Sequence, residues 1–318
     1  MLYGILTAAV LVAAAVLGIS YYCYRRTFYV PPRKNKPAGM ILPEGKIYEP
    51  FHGDMKKWAE ETKALPHRRF SIRSDDGLTL WGSYFEYAPG APVELMFHGY
   101  RGSAERDLCG GVQRCFRLGR SCLLVDQRCS GESEGRSITF GIREHRDCLR
   151  WVDFLRKQFG EDVKILLTGI SMGGATVLMA AGKPLPDNVI GILADCSYST
   201  PKAIIQKVIG QMGLPPGLVY PFVRLGGLIY GGFDIEETSP LQAMERCTLP
   251  VLFFHGESDD YVPCDMSRQV FDACKSRKQL VTVPDAGHGL CYLVDNAGYM
   301  KAAGEFFGPE GTYGERIS

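Results

Sequence analysis

The residues best suited to chemistry lie in Gly169-Ile170-Ser171-Met172-Gly173-Gly174, where a serine stands two places from glycine on either side. The run Val163 to Thr168 before it reads as an apolar strand, and Gly174 to Ala181 after it as a small-residue helix. A serine on a sharp strand-to-helix turn needs glycines at those spacings, so that neighbouring backbone can pass without collision. A hydroxyl is a weak nucleophile at neutral pH and works only beside a base that an acid orients. Of six histidines, only His255 and His288 follow Ser171. His288 lies in Asp285-Ala286-Gly287-His288-Gly289, a loop after the last strand, and is the expected base. His255 ends an apolar strand and reads as a fixed structural residue. The acid belongs to His255-Gly256-Glu257-Ser258-Asp259-Asp260-Tyr261-Val262-Pro263, where Asp259 is preferred because Val262-Pro263 starts the next helix. Asp260 is the alternative, Glu257 is also available, and Asp195 at another strand end is a less favoured acid that could instead line the site. Two backbone N–H groups must receive the oxyanion of an acyl-transfer intermediate. Met172, directly after the nucleophile, supplies one, and Tyr100 in the glycine-rich loop Phe97-His98-Gly99-Tyr100-Arg101-Gly102 supplies the other.

Positioning these groups requires strand ends side by side. After a hairpin signal at Asp76-Gly77, short continuous apolar strands alternate with helical segments: Val93–Phe97, Cys122–Val125, Val163–Thr168, Val189–Ala194, Val251–Phe254 and Gln279–Val283. That order predicts an α/β fold with a mostly parallel central sheet covered on both faces and an antiparallel hairpin at one edge. Helices are expected at Met55–Ala64, Ala104–Leu118, Ile142–Phe159, near Met266–Cys274 and near Asp295–Phe307. The fifty-odd residues between Ala194 and Val251 exceed a simple connection. They hold two apolar helical stretches joined at Leu214-Pro215-Pro216-Gly217, read as a helical cap inserted at about 197–248.

Met1 to Tyr24 carries no charged side chain, and Ile5 to Ile19 is almost wholly aliphatic, close to the ~20 residues a membrane-spanning helix needs. Tyr21, Tyr22 and Tyr24 form an interfacial belt, followed by Arg25, Arg26, Arg33, Lys34 and Lys36. No basic side chain precedes the apolar run, which favours an uncleaved anchor over a cleaved signal peptide. The basic flank predicts a single-pass cell-membrane protein with its bulk on the cytoplasmic face. Residues 1–24 are thus assigned as the transmembrane anchor, 25–45 as a linker and 46–318 as the main domain. Eleven cysteines, an odd number without a CxxC pair, suit a reducing compartment better than a disulfide framework. Thirty-six basic against thirty-five acidic side chains leave a net charge of +1, with no excess for a nucleic-acid partner. No histidine or cysteine pair has zinc-ligand spacing, so no metal is expected.

The chain resembles the alpha/beta-hydrolase superfamily, and within it the bacterial membrane-anchored serine hydrolases. The marks are HGY at 98–100, DQR at 126–128 with GES at 131–133, GISMGG at 169–174, HGESDDYVP at 255–263 and GHG at 287–289. The resemblance covers Phe70 to Phe307 and implies a Ser171–Asp259–His288 triad and no cofactor. It departs after Arg128, where relatives commonly carry a small residue and then His, and this chain has Cys129-Ser130. A serine hydrolase of hydrophobic carboxylic esters is the expected activity, with the cap over the acyl chain. Thioester and peptide hydrolysis use the same machinery. The remaining alternative is a non-catalytic module that holds a hydrophobic ligand, for which a broken triad or a blocked elbow would be expected. Oligomeric state is not legible.

Overall fold

The computed structural model describes residues 1–31 and 42–308. Among the described residues eight strands form one sheet in the order β1-β2-β4-β3-β5-β6-β7-β8. They are β1 (Arg68–Arg73), β2 (Thr79–Phe85), β3 (Val93–Phe97), β4 (Ser121–Asp126), β5 (Ile165–Ile170), β6 (Val189–Asp195), β7 (Val251–Gly256) and β8 (Lys278–Val283). β1 pairs antiparallel with β2 and β2 with β4. Every pairing from β4 through β8 is parallel. Strands buried on both faces are mostly apolar, and β3 and β7, buried at every position, are so except at Glu94 and His255.

The helices are α1 (Leu2–Thr27), α2 (His52–Ala64), α3 (Ala104–Asp107), α4 (Gly111–Arg117), α5 (Glu144–Phe159), α6 (Met172–Ala181), α7 (Pro201–Gln211), α8 (Pro216–Gly226), α9 (Pro240–Met244), α10 (Cys264–Ala273), α11 (Cys291–Val294) and α12 (Asn296–Phe307). The expected helix over 104–118 is two: Gly110 at φ +78° breaks it, and a Cβ there would lie 2.5 Å from Trp58 of α2. β5 starts and ends two residues later than expected, so the strand runs up to the residue before Ser171.

One core packs α5, α6 and α9 against one sheet face, with Trp151, Leu155, Val177 and Leu178 fully buried. The other face carries Leu166, Leu193, Leu252 and Phe254 against Tyr299, Ala303 and Phe306 of α12. A third cluster lies beyond the strand ends and joins the cap to the N-terminus: Ile204, Ile205 and Ile209 of α7, Tyr220 and Val223 of α8, Phe140, and Tyr24 and Phe28.

α1 is the one helix among the described residues long and apolar enough to cross a membrane, with mean hydropathy 2.4 over its most apolar stretch. It does not end at Tyr24, and residues 25–30 are not a linker. The helix runs to Thr27, and Phe28 is completely buried, with its ring 5.1 Å from Phe233 and 5.9 Å from Phe140. The reason is compositional: Phe28-Tyr29-Val30 is apolar, and Tyr29 and Val30 join the backbone of 136–138. At Gly226 of α8 a Cβ would meet the Ser20 carbonyl at 2.4 Å, so the two helices touch backbone to backbone. The part of the expected linker that includes Arg33, Lys34 and Lys36, residues 32–41, lies outside the described residues.

Candidate active site

Three loops at the carboxyl ends of the parallel strands converge on Ser171. It stands between β5 and α6 at φ 57° and ψ −118°, a region that costs a non-glycine residue about 1–3 kcal/mol. The surroundings hold it there. A Cβ on Gly169 would sit 2.1 Å from the Gly173 backbone, and one on Gly173 would sit 2.1 Å from the Phe97 carbonyl. Both glycines are therefore dictated by contact, as the spacing implied.

His288 Nε2 lies 2.9 Å from Ser171 Oγ, and its Nδ1 lies 2.7 Å from Asp259 Oδ2. Asp259 is 6% exposed. Burial alone would raise its pKa, but hydrogen bonds to His255 and His288, the His288 charge and the Val262 N–H outweigh it and hold the carboxyl at about 2. Its Oδ1 accepts from the N–H groups of Tyr261 (3.0 Å) and Val262 (2.8 Å). An ionised Asp259 can only accept, so Nδ1 of His288 carries the proton and Nε2 faces the serine hydroxyl with its lone pair. Asp259, not Asp260, faces the histidine. The Asp260 carbonyl instead accepts from Gln211 (3.1 Å) and Lys207 of α7.

Around the other side of Ser171, Asp107 Oδ2 takes the Gly99 N–H at 2.9 Å, and the next N–H along the loop is that of Tyr100. His98 fixes the loop from beneath: its Nε2 accepts from the Gln127 N–H (3.1 Å), and Gln127 Nε2 donates to the His98 carbonyl (2.5 Å). Ser130, at the departure from the family pattern, donates to the Gly102 carbonyl (2.7 Å) and so ties down the far end of this loop. Met172 opens α6, where a first-turn N–H has no acceptor within the helix.

The alpha/beta hydrolase fold model matches residues 95–228, and the serine hydrolase (FSH1) model matches 223–290. The structure of the esterase Pf2001 from Pyrococcus furiosus superposes with a TM-score of 0.63 over 87% of this chain and 98% of that one, at 19% identity. This chain has the alpha/beta-hydrolase fold. Among sequence relatives of the hydrolase, uncharacterized protein YqkD of Bacillus subtilis is 27% identical over 190 residues, 59% of this chain and 62% of its own length. Uncharacterized protein Rv2307c of Mycobacterium tuberculosis is 26% identical over 314 residues, 96% of this chain and 94% of its own.

Beside Ser171 and His288 the hydrolase has a cavity of about 610 Å³. Its apolar wall comes from Ile47 and Met55, Met96 and Leu108, and Leu290 and Leu293. Among the described residues none of 197–248 lines it, which corrects the expectation that the cap covers the acyl chain. The cap spends its apolar faces on α1, on Phe28 and on its own packing. The cavity is closed by the segment around Ile47 and Tyr48, at the start of the main domain, where the sequence pattern marks no regular element. Tyr48 donates to the His288 carbonyl at 3.0 Å, so this wall also holds the base loop.

Sequence reasoning also undervalued His255. It is fixed, with Nδ1 2.7 Å from Ser267 Oγ and Nε2 2.8 Å from the Val262 carbonyl. Its Nε2 is also 3.3 Å from Asp259 Oδ2, making it a second partner of the acid. The only signal was its position four residues before Asp259. Cys196, Asp259 and His288 present ligating atoms within 4.8 Å of one another. Burial raises the Cys196 thiol well above its ordinary value.

Proposed function

We propose that the protein is a serine ester hydrolase whose catalytic residues are Ser171, His288 and Asp259. The observation that carries this reading is the unbroken relay from the serine hydroxyl through His288 to a carboxylate held at about 2. Ser171 Oγ attacks the ester carbonyl while His288 Nε2 takes its proton. The oxyanion is received by the N–H groups of Tyr100 and Met172. His288 returns the proton to the departing alcohol, Asp259 stabilises the imidazolium, and water then cleaves the acyl-enzyme by the same route. The apolar wall of the cavity suits a hydrophobic acyl or alcohol group. α1 inserts into the membrane, and its docked end holds the hydrolase against the bilayer. The similarity to Pf2001, described as an esterase, supports the ester assignment.

The test is labelling of the full chain in detergent with a fluorophosphonate. Wild type should label, and Ser171→Ala should not. A folded wild type that neither labels nor cleaves p-nitrophenyl esters would sink the proposal.

A further inference from the structure

The inner end of the cavity is not apolar. On the sheet face beneath α4 and α12, buried Glu94 accepts from Thr168 Oγ1 at 2.8 Å, from Arg120 at 3.3 Å and from Arg114. Arg114 Nη1 also reaches Tyr299 Oη at 3.4 Å, and the Tyr299 ring stacks on Phe254 with centroids 3.7 Å apart. Arg114, Thr168, Tyr299 and Asp195 all line the cavity. Asp195 is 2% exposed; Cys291 and Tyr299 hydrogen-bond toward its carboxyl, yet its Oδ1 meets no donor in hydrogen-bond geometry among the described residues. Ester cleavage by the relay above makes no use of this group. A buried oxygen without a partner carries a cost that a purely apolar guest would leave in place.

The register sets where the guest's polar atom would lie. Asp195 is paired with Ile170, one residue before the nucleophile, and its carbonyl accepts the Ser171 N–H at 2.8 Å. The orphan oxygen is therefore only a few bonds' reach from the scissile carbonyl. Arg114 and Tyr299 offer donors, and Asp195 offers an acceptor. A carboxylate guest would find Arg114 already paired with Glu94, and an ammonium guest would meet the Arg114 charge. A hydroxyl both donates and accepts, and it carries no charge to desolvate. Burial pushes the Asp195 carboxyl up, which further disfavours a cation as its partner.

We infer that Asp195, Arg114 and Tyr299 form a hydroxyl-recognising subsite, and that the substrate is an ester carrying a hydroxyl a few bonds from its carbonyl, on the acyl or the alcohol side. This rests on the serine-hydrolase reading and narrows it from hydrophobic esters in general to hydroxy esters. Because the site holds a buried oxygen that a guest hydroxyl would satisfy, an analogue lacking the hydroxyl is discriminated against.

Two matched pairs test it with the full chain in detergent: p-nitrophenyl butyrate against p-nitrophenyl 3-hydroxybutyrate, and ethyl butyrate against 2-hydroxyethyl butyrate. The wild type should favour the hydroxylated member of at least one pair by about tenfold in kcat/KM, the worth of one well-placed hydrogen bond. Asp195→Leu, close in shape, should bring that ratio to about one, and Asp195→Asn should restore part of it. Fluorophosphonate titration counts competent sites in every sample. A wild type that labels and cleaves butyrate with no preference in either pair overturns the subsite and leaves the hydrolase reading intact. A preference unchanged in Asp195→Leu also overturns it. If that variant does not fold, the wild-type ratios and the Asn variant decide. A wild type that does not label instead fails the underlying reading.

Discussion

Two apolar regions flank Ser171, and they do opposite things with similar composition. On the cap side, α7 and α8 bury Ile204, Ile205, Tyr220 and Val223 against Phe28, Phe140 and the end of α1, and contribute nothing to the cavity. On the other side, Ile47, Met55, Leu108 and Leu293 face a cavity of about 610 Å³. Apolar residues beside an active site are thus not by themselves a substrate pocket. The two differ in whether the chain supplies its own partner for the surface, and here the N-terminal helix does so for the cap.

The severest way to break this comparison is at the joint between the regions. Gly173→Val would drive a side chain into the Phe97 carbonyl, and should abolish fluorophosphonate labelling together with the cooperative melting transition. Labelling at wild-type stoichiometry would mean that the elbow can relax. Next, Phe28→Ala should cost about 3–5 kcal/mol of stability, as for other buried aromatics, because its ring is wedged between Phe140 and Phe233. Denaturant titration of the full chain reads this. A change within a few tenths of a kcal/mol would return 25–30 to the status of a linker.

The two regions should then differ in substrate profile. Leu293→Trp narrows the cavity and should lower kcat/KM about tenfold for long p-nitrophenyl esters while sparing acetate, a shift of the size expected for the loss of one or two methylene sites. Leu218→Ser, on the 71% exposed outer face of the cap, should leave the chain-length profile where it is. The reverse outcome would make the cap the acyl-binding element.

Asp259 sharpens the comparison through pH. Its folded-state pKa of about 2 lies below the ordinary 3.8, so its contribution to stability is fully present above about pH 4 and is lost as pH falls through 2. The stability gap between wild type and Asp259→Asn should shrink by about 2 kcal/mol across that window. A gap that stays constant would mean that the carboxylate is not held by its partners. Smallest of all, Tyr100→Phe removes the hydrogen bond from its hydroxyl to the Thr27 carbonyl (2.6 Å) and should cost about 1 kcal/mol.

Ser171, Asp259 and His288 were legible because their demands are local: glycines at fixed spacing, loops after strands and an order along the chain. The parallel strands were legible from short, unbroken apolar runs such as Val93–Phe97. Long-range relations were not. Phe28 follows two arginines and reads as the start of a tether, and only the fold reveals the slot between Phe140 and Phe233. The walls from Ile47 and Tyr48 sit among Pro43, Glu44, Gly45 and Lys46, whose composition signals loop whatever they pack against. The break at Gly110 depends on Trp58, more than fifty residues away. Hydrophobic patterning states that a surface must be covered, but not by what.

The docking of α1 also sets a length. From Leu2 to Val16 the helix rises about 22 Å before Leu17, whose carbonyl accepts from the Tyr230 hydroxyl, meets the rest of the molecule. Lipid around a helix inserted as proposed would meet the exposed Leu228, Ile229 and Tyr230 of the π-helical turn after α8 as soon as it covers Leu17. The molecule would then rest on the headgroup layer, with little slack between its surface and the bilayer.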